Sequence, residues 1–258
     1  MRDGMKFWWV LAATLAVTTA TATAAEIRVH SGGAPEAALR ALAPQFEKTS
    51  GHRVTFTFAI VNAIQKRLAS GEKTDLIFLP VPLIAETEKS VPLRKEGRGI
   101  LARVGLAVVV RDGATRPDIS SADAVRKLLT SAKTIALSEA STPGGGYVLR
   151  MLDRLGIAAE TKSRLIHRAA IKGGGELVAK GEAEVGLYLR SEMQTVKGVT
   201  LVGLLPPELL FNVVYGTAIP ADNPAPELAL SFIKFITAPE QAGQWQQAGF
   251  ELAPPPAK

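Results

Sequence analysis

The chain has 258 residues, with 30 lysines and arginines against 24 acidic residues, a formal net charge of +6 and no cysteine. The absence of cysteine excludes disulfides, thiolate metal sites and a cysteine nucleophile, so stability must come from burial, which this length allows as one large or two modest domains. The basic excess is mild and scattered, with no Lys/Arg run interleaved with aromatics; that argues against a nucleic-acid groove and is compatible with attraction of small anions.

In chain order, Arg2 and Lys6 precede an apolar run from Phe7 to Val17 and a small-residue stretch that includes Ala22-Thr23-Ala24. This is the layout of a secretory signal peptide over residues 1–25, cleaved after Ala24 or Ala25, and the apolar run is shorter than the ~20 residues of a spanning helix. Removing it takes out two basic residues and one acidic one and leaves a net charge of +5. A cleaved signal predicts a periplasmic protein.

Short apolar or β-branched runs at Ile27 to Val29, Val54 to Phe58, Asp75 to Leu79 and Leu106 to Val110 read as strands. Between them, Pro35 to Lys48 carries Ala38, Leu39, Leu42 and Phe46 on one helical face, and Asn62 to Ser70 reads as a helix with Asn62 as N-cap and Gly71 as its stop. A second set follows: a strand at Thr134 to Leu137, helices at Gly144 to Leu155 and Gly173 to Lys180, a strand at Glu184 to Leu189 and an apolar run at Phe211 to Ile219. Helices at Pro226 to Ile236 and Pro239 to Ala248 close the chain. Alternation of this kind predicts an α/β fold with parallel sheets flanked by helices, in two lobes.

Ligands of open α/β sheets sit at the carboxyl ends of strands, beside helix N-termini whose free N–H groups favour negative charge. Four turns occupy such places: Ser31-Gly32-Gly33, Val61-Asn62, Gly144-Gly145-Gly146 after Pro143, and Lys172 followed by three glycines. Glycine there is expected to let backbone approach a ligand, the alternative being that each simply makes a tight turn.

The pieces VHSGGA, RLASGEKTDLIF, LAVVV, STPGGGYVLRMLDRLGI, ELVAKGEAEVGLYLRSE and ELALSFIKFITAPEQAGQWQQAGF, in this order over residues 26–250, resemble the periplasmic molybdate-binding proteins of ABC importers. The resemblance implies a type II periplasmic binding protein fold, α/β, each lobe a mixed and mostly parallel sheet flanked by helices. It also implies an oxyanion held in the cleft and delivery to an ABC permease at the inner membrane. Lobe 1 is expected over 26–106 plus 216–258 and lobe 2 over 107–215, hinged near Leu106 and Gly216.

Carried over by position, the family's two serine hydroxyls fall on Ala34 and Val61, which have none, and its backbone donors on Gly144 and Ile171. Its tyrosine falls on Leu189, between Tyr188 and Arg190. The expected cleft therefore comprises Ser31, Gly32, Gly33, Ala34, Val61, Asn62, Gly144, Gly145, Tyr147, Ile171, Lys172, Tyr188, Leu189 and Arg190, with Ser31, Asn62, Lys172 and Arg190 as compensating polar groups and His30 as a further donor to an anion. Loss of the hydroxyls leaves molybdate or tungstate, an organic carboxylate, or a sensory or protein-interaction role without transport as alternatives.

No G-x-S-x-G, H-E-x-x-H, G-x-G-x-x-G or Walker pattern occurs, so neither enzymatic activity nor a metal or other cofactor is expected. A monomer that binds a small anion, and no nucleic acid, is the expected form.

Overall fold

A computed structural model describes residues 24–253. The signal-peptide reading thus falls almost wholly outside the described residues. Strand β1 (Glu26–Gly32) leads into α1 (Glu36–Ser50), and β2 (Arg53–Ala59) into α2 (Val61–Ala69). Next come β3 (Leu76–Pro80), α3 (Val81–Thr87) and the long β4 (Gly99–Arg111). The chain continues through α4 (Ala122–Ser131), β5 (Ile135–Leu137), α5 (Pro143–Arg154), α6 (Ala158–Thr161), β6 (Leu165–His167), α7 (Gly174–Lys180), β7 (Val185–Leu189) and α8 (Arg190–Met193). It ends with β8 (Val199–Leu204), β9 (Asn212–Ala218), α9 (Pro226–Ile236), α10 (Ala242–Gln247) and β10 (Glu251–Leu252).

The strands run in the order β2-β1-β3-β9-β4-β7-β5-β6, with β8 and β10 also on β4. The outer pairs β1/β2, β1/β3, β5/β6 and β5/β7 are parallel, as strand–helix alternation predicts, because a right-handed helical crossover returns the chain in the same direction. The pairs made by β4 and β9 are antiparallel. Strand β4 belongs to two sheets: Gly99–Gly105 pair with β9, and from Leu106 onward the strand pairs with β7 and β8. The return passage lies between Leu204 and Asn212. Gly216, expected at that passage, sits inside β9 opposite Leu79 and Ile100.

Helix α1 buries Ala38, Leu39, Leu42 and Phe46, the face its periodicity predicts. Phe46 meets Phe232 of α9 edge-on at 5.0 Å, and β10 pairs with the first half of β4, so the closing helices lie against the first sheet. Fully buried Trp245 donates its indole N–H to Ile236 O at 2.8 Å, satisfying the one polar atom that its burial would otherwise strand.

Candidate ligand-binding site

The first residues of α2 and α5 meet at one cleft between the two sheets, beside Gly33 of the turn that precedes α1. The first backbone N–H groups of a helix lack intrahelical acceptors, so this arrangement aims donors and the positive ends of two helix dipoles into a common space. The cleft is narrow, with a cavity volume of about 40 Å³. Its walls are mainly apolar, among them Ile60, Val61, Leu106, Ile171, Leu187 and Leu189. Two contacts bridge its mouth. A Cβ placed on Gly33 would stand 3.3 Å from Ile171 Cδ1, and Asn62 Nδ2 donates to Ser141 O at 3.4 Å.

Of the expected residues, Gly33, Val61, Gly144, Ile171, Tyr188 and Leu189 line this cleft. The others lie elsewhere. Ser31 is fully buried at the end of β1 and donates its hydroxyl to Gly32 O at 2.8 Å. Gly32 packs under Val61 and Tyr215, where a Cβ would come within 2.9 Å of Val61 Cγ1. Ala34 lines an adjoining hollow. Asn62 is not the N-cap of α2, which is Ile60; it spans the mouth instead. Tyr147 stacks on Phe211 at 4.2 Å and donates to Leu209 O at 2.7 Å, fastening α5 to the return passage rather than facing a ligand. Lys172 is exposed and Arg190 reaches toward Gln194 Oε1 at 3.5 Å; neither lines the cleft. His30 belongs to β1, not to a loop, and its Nε2 lies 2.9 Å from Glu72 Oε1.

The glycine runs serve packing more than ligand approach. A Cβ on Gly145 would fall 2.5 Å from Ser138 O and closer still to Glu139 O, and one on Gly174 would fall 2.5 Å from both Arg168 O and Tyr188 Oη. Backbone meets backbone at these points, so α5 and α7 seat against their preceding loops only without a side chain. Gly144 differs: its nearest neighbours would be Leu106 and Leu189 side chains at 3.8 Å, an ordinary contact beside the cleft.

The polar lining comprises Ser138, Thr142, Tyr188, Tyr215 and Glu192. Thr142 is engaged twice, donating to Glu139 O at 2.8 Å and capping α5 by accepting from Gly145 N at 3.1 Å. Tyr188 donates to Arg168 O at 3.0 Å, and burial pushes its phenol and that of Tyr215 upward. Glu192 was absent from the expected set. It keeps some exposure along the cleft wall, but protein encloses it otherwise, and this desolvation pushes its carboxyl up to about 7; the N–H of Leu189 opposes the shift and the charge of Glu139 adds to it. In sequence it is one Glu after Arg190-Ser191, with no Ser or Thr N-cap to signal a capping box. Its importance depends on burial, which no local pattern shows. Among the described residues no group of three or more His, Cys, Asp or Glu is placed to hold a metal ion, and no helix is long and apolar enough to cross a membrane.

The family model for bacterial extracellular solute-binding proteins matches residues 27–251. An aconitate isomerase from Pseudomonas sp. is 30% identical over 236 residues, 88% of each chain. The molybdate-binding protein ModA of Azotobacter vinelandii is 27% identical over 242 residues, 90% of this chain and 93% of that one. The solved periplasmic molybdate-binding protein of Azotobacter vinelandii superposes with a TM-score of 0.73 at 18% identity, over 88% of this chain and all of the other, which shows the fold as that of a type II periplasmic binding protein. On this evidence the chain belongs to the bacterial extracellular solute-binding proteins and is a molybdate-binding-like member of that family.

Proposed function

We propose that the protein is the periplasmic solute-binding component of an ABC importer and that it captures a small organic carboxylate with an apolar body, handing it to a membrane permease. The observation that carries this reading is the composition of the cleft, in which apolar side chains surround the N-termini of α2 and α5 and the backbone of Gly33, and no Lys, Arg or His lines the wall. Such a site grips an anionic end through backbone donors and buries a hydrocarbon remainder. A compact oxyanion held by hydroxyls fits less well. Ala34 and Val61 carry none, Ser31 turns away, and Thr142 and Tyr188 are committed to backbone, leaving Ser138 and Tyr215. Each lost hydrogen bond to a charged group costs about 1.5–3 kcal/mol, so two losses weaken binding by roughly a hundredfold to tens of thousandfold.

In this reading residues 26–105 with 212–253 form one lobe and 106–204 the other, hinging at β4 and the return passage to enclose the ligand. A thermal-shift screen of small carboxylates beside molybdate, tungstate and sulfate tests it. Stabilisation by a carboxylate is expected, and stabilisation confined to the inorganic oxyanions would refute it.

Glu192 favours a second reading. A carboxyl that titrates near neutral pH and lines a mainly apolar cleft is suited to proton transfer, and one relative is named an aconitate isomerase. On that reading ionised Glu192 removes a proton from a carbon of an unsaturated carboxylate, the double bond shifts, and the resulting carboxyl, once exchanged with solvent, returns a proton at the other end of the allylic system. Conversion of one aconitate isomer to the other, with deuterium incorporated in D₂O and lost in Glu192→Gln, would establish it. An unchanged NMR spectrum at stoichiometric enzyme would exclude it.

A further inference from the structure

Glu192 contributes the one carboxyl group on the cleft wall. Among the described residues its hydrogen-bond partner is the Leu189 N–H, 3.3 Å from Oε2. The titratable and charged groups around it come from several elements: Glu139 from the β5–α5 loop, Tyr188 from β7, Tyr215 from β9, and Glu36 and Arg40 from α1, which share the adjoining hollow with it. Arg40 is already engaged, its Nε donating to Glu36 Oε1 at 2.8 Å and its guanidinium lying 4.9 Å from the Phe58 ring centre. Arg190, on Glu192's own helix, is directed to Gln194. Next to it Ser191 is 3% exposed, lines the same hollow and has a hydroxyl without a partner. A desolvated carboxyl beside a second carboxyl, with no cation paired to it, is more stable neutral than ionised.

We propose that Glu192 is a specificity-determining residue that holds its proton in the open cleft and donates it in a hydrogen bond to the carboxylate of the ligand, selecting organic acids over amines. The proposal rests on the carboxylate reading above. A protonated carboxyl offers an O–H donor where an ionised one offers only acceptors and a repelling charge, so one side chain sets both the preferred charge of the ligand and the pH range of capture. Ser191, next to it, turns its unpartnered hydroxyl toward the adjoining hollow and not the cleft. Because the carboxyl of Glu192 ionises at about 7, the competent fraction falls above neutrality, and a ligand that requires the protonated form should bind about thirtyfold more weakly at pH 8.5 than at pH 5.5.

The test is calorimetric titration of the mature protein and of Glu192→Gln with isobutyrate, isobutylamine and molybdate at pH 5.5 and 8.5. Isobutyrate should bind the wild type at pH 5.5 and about thirtyfold more weakly at pH 8.5. Glu192→Gln, whose amide donates at every pH, should bind it equally at both. Isobutyrate binding that is independent of pH in the wild type, or a preference for isobutylamine at pH 5.5, overturns the role of Glu192 alone. Molybdate binding without isobutyrate binding overturns that role and the carboxylate reading together, and no heat with isobutyrate at pH 5.5 also refutes the donor role.

Discussion

Adjacent glycines at the start of α5 should respond oppositely to the same methyl group. In Gly145→Ala the new Cβ falls 2.5 Å from Ser138 O and nearer still to Glu139 O, so it must retreat by roughly 1 Å to reach ordinary contact, pushing the first turn of α5 off its loop. Overpacking of this kind costs about 1–3 kcal/mol. The shift also pulls Gly145 N from Thr142 Oγ1, a capping bond of 3.1 Å worth about 1 kcal/mol. The sum, about 2–4 kcal/mol, corresponds to a melting temperature lowered by roughly 5–15 °C in a chain of this size. Gly144→Ala meets only Leu106 and Leu189 side chains at 3.8 Å and replaces glycine in a helix, so its stability should stay within about 1 kcal/mol of wild type. Urea denaturation of both variants, followed by far-UV circular dichroism, reads the difference. Equal midpoints for the two would refute the claim that Gly145 is required by the approach of backbone to backbone.

Tyr147→Phe, which leaves Leu209 O without its donor but keeps the stack on Phe211, should cost about 1–3 kcal/mol in denaturation and leave ligand affinity unchanged, because Tyr147 does not line the cleft. Lys172→Ala and Arg190→Ala should each alter affinity by no more than about twofold, as judged by titration, since both lie off the cleft wall. Glu192 gives a pH effect without ligand. Its folded-state pKa is raised, so between the ordinary carboxylate value and about 7 the folded protein holds the extra proton, and stability falls as pH rises through that window. Relative to Glu192→Gln, wild type should lose up to about 3 kcal/mol between pH 4.5 and 7.5, and parallel pH profiles of the two would contradict this.

The elements legible in the sequence were those with an unbroken period. The buried face of α1 and the β-branched core of β2 each repeat cleanly enough to read from residues alone. The first half of β4 did not, and the cause is local: a register shift between Ile100 and Ala102 places Leu101 and Ala102 side by side in the core and leaves Ile100 62% exposed, so the alternation fails. The short β6 and the helices α3 and α4 also escaped notice. The cleft's position followed from the topology rule, because helix N-termini at strand ends are fixed by connectivity. Its chemistry was less visible. Ser31 reads as a donor until β1 is seen to run through it to Gly32, which buries its side chain, and Glu192 carries no local signal until the second lobe folds around it.

The most direct measurement of the central claim is titration calorimetry of the wild type and Gly144→Leu against molybdate and a panel of small carboxylates. Leucine at position 144 would extend from beside Leu106 and Leu189 into the cleft without disturbing the loop. A carboxylate should bind the wild type more tightly than molybdate does, and Gly144→Leu, still folded, should lose that binding. Molybdate bound more tightly than every carboxylate, or full carboxylate affinity in Gly144→Leu, would contradict the claim.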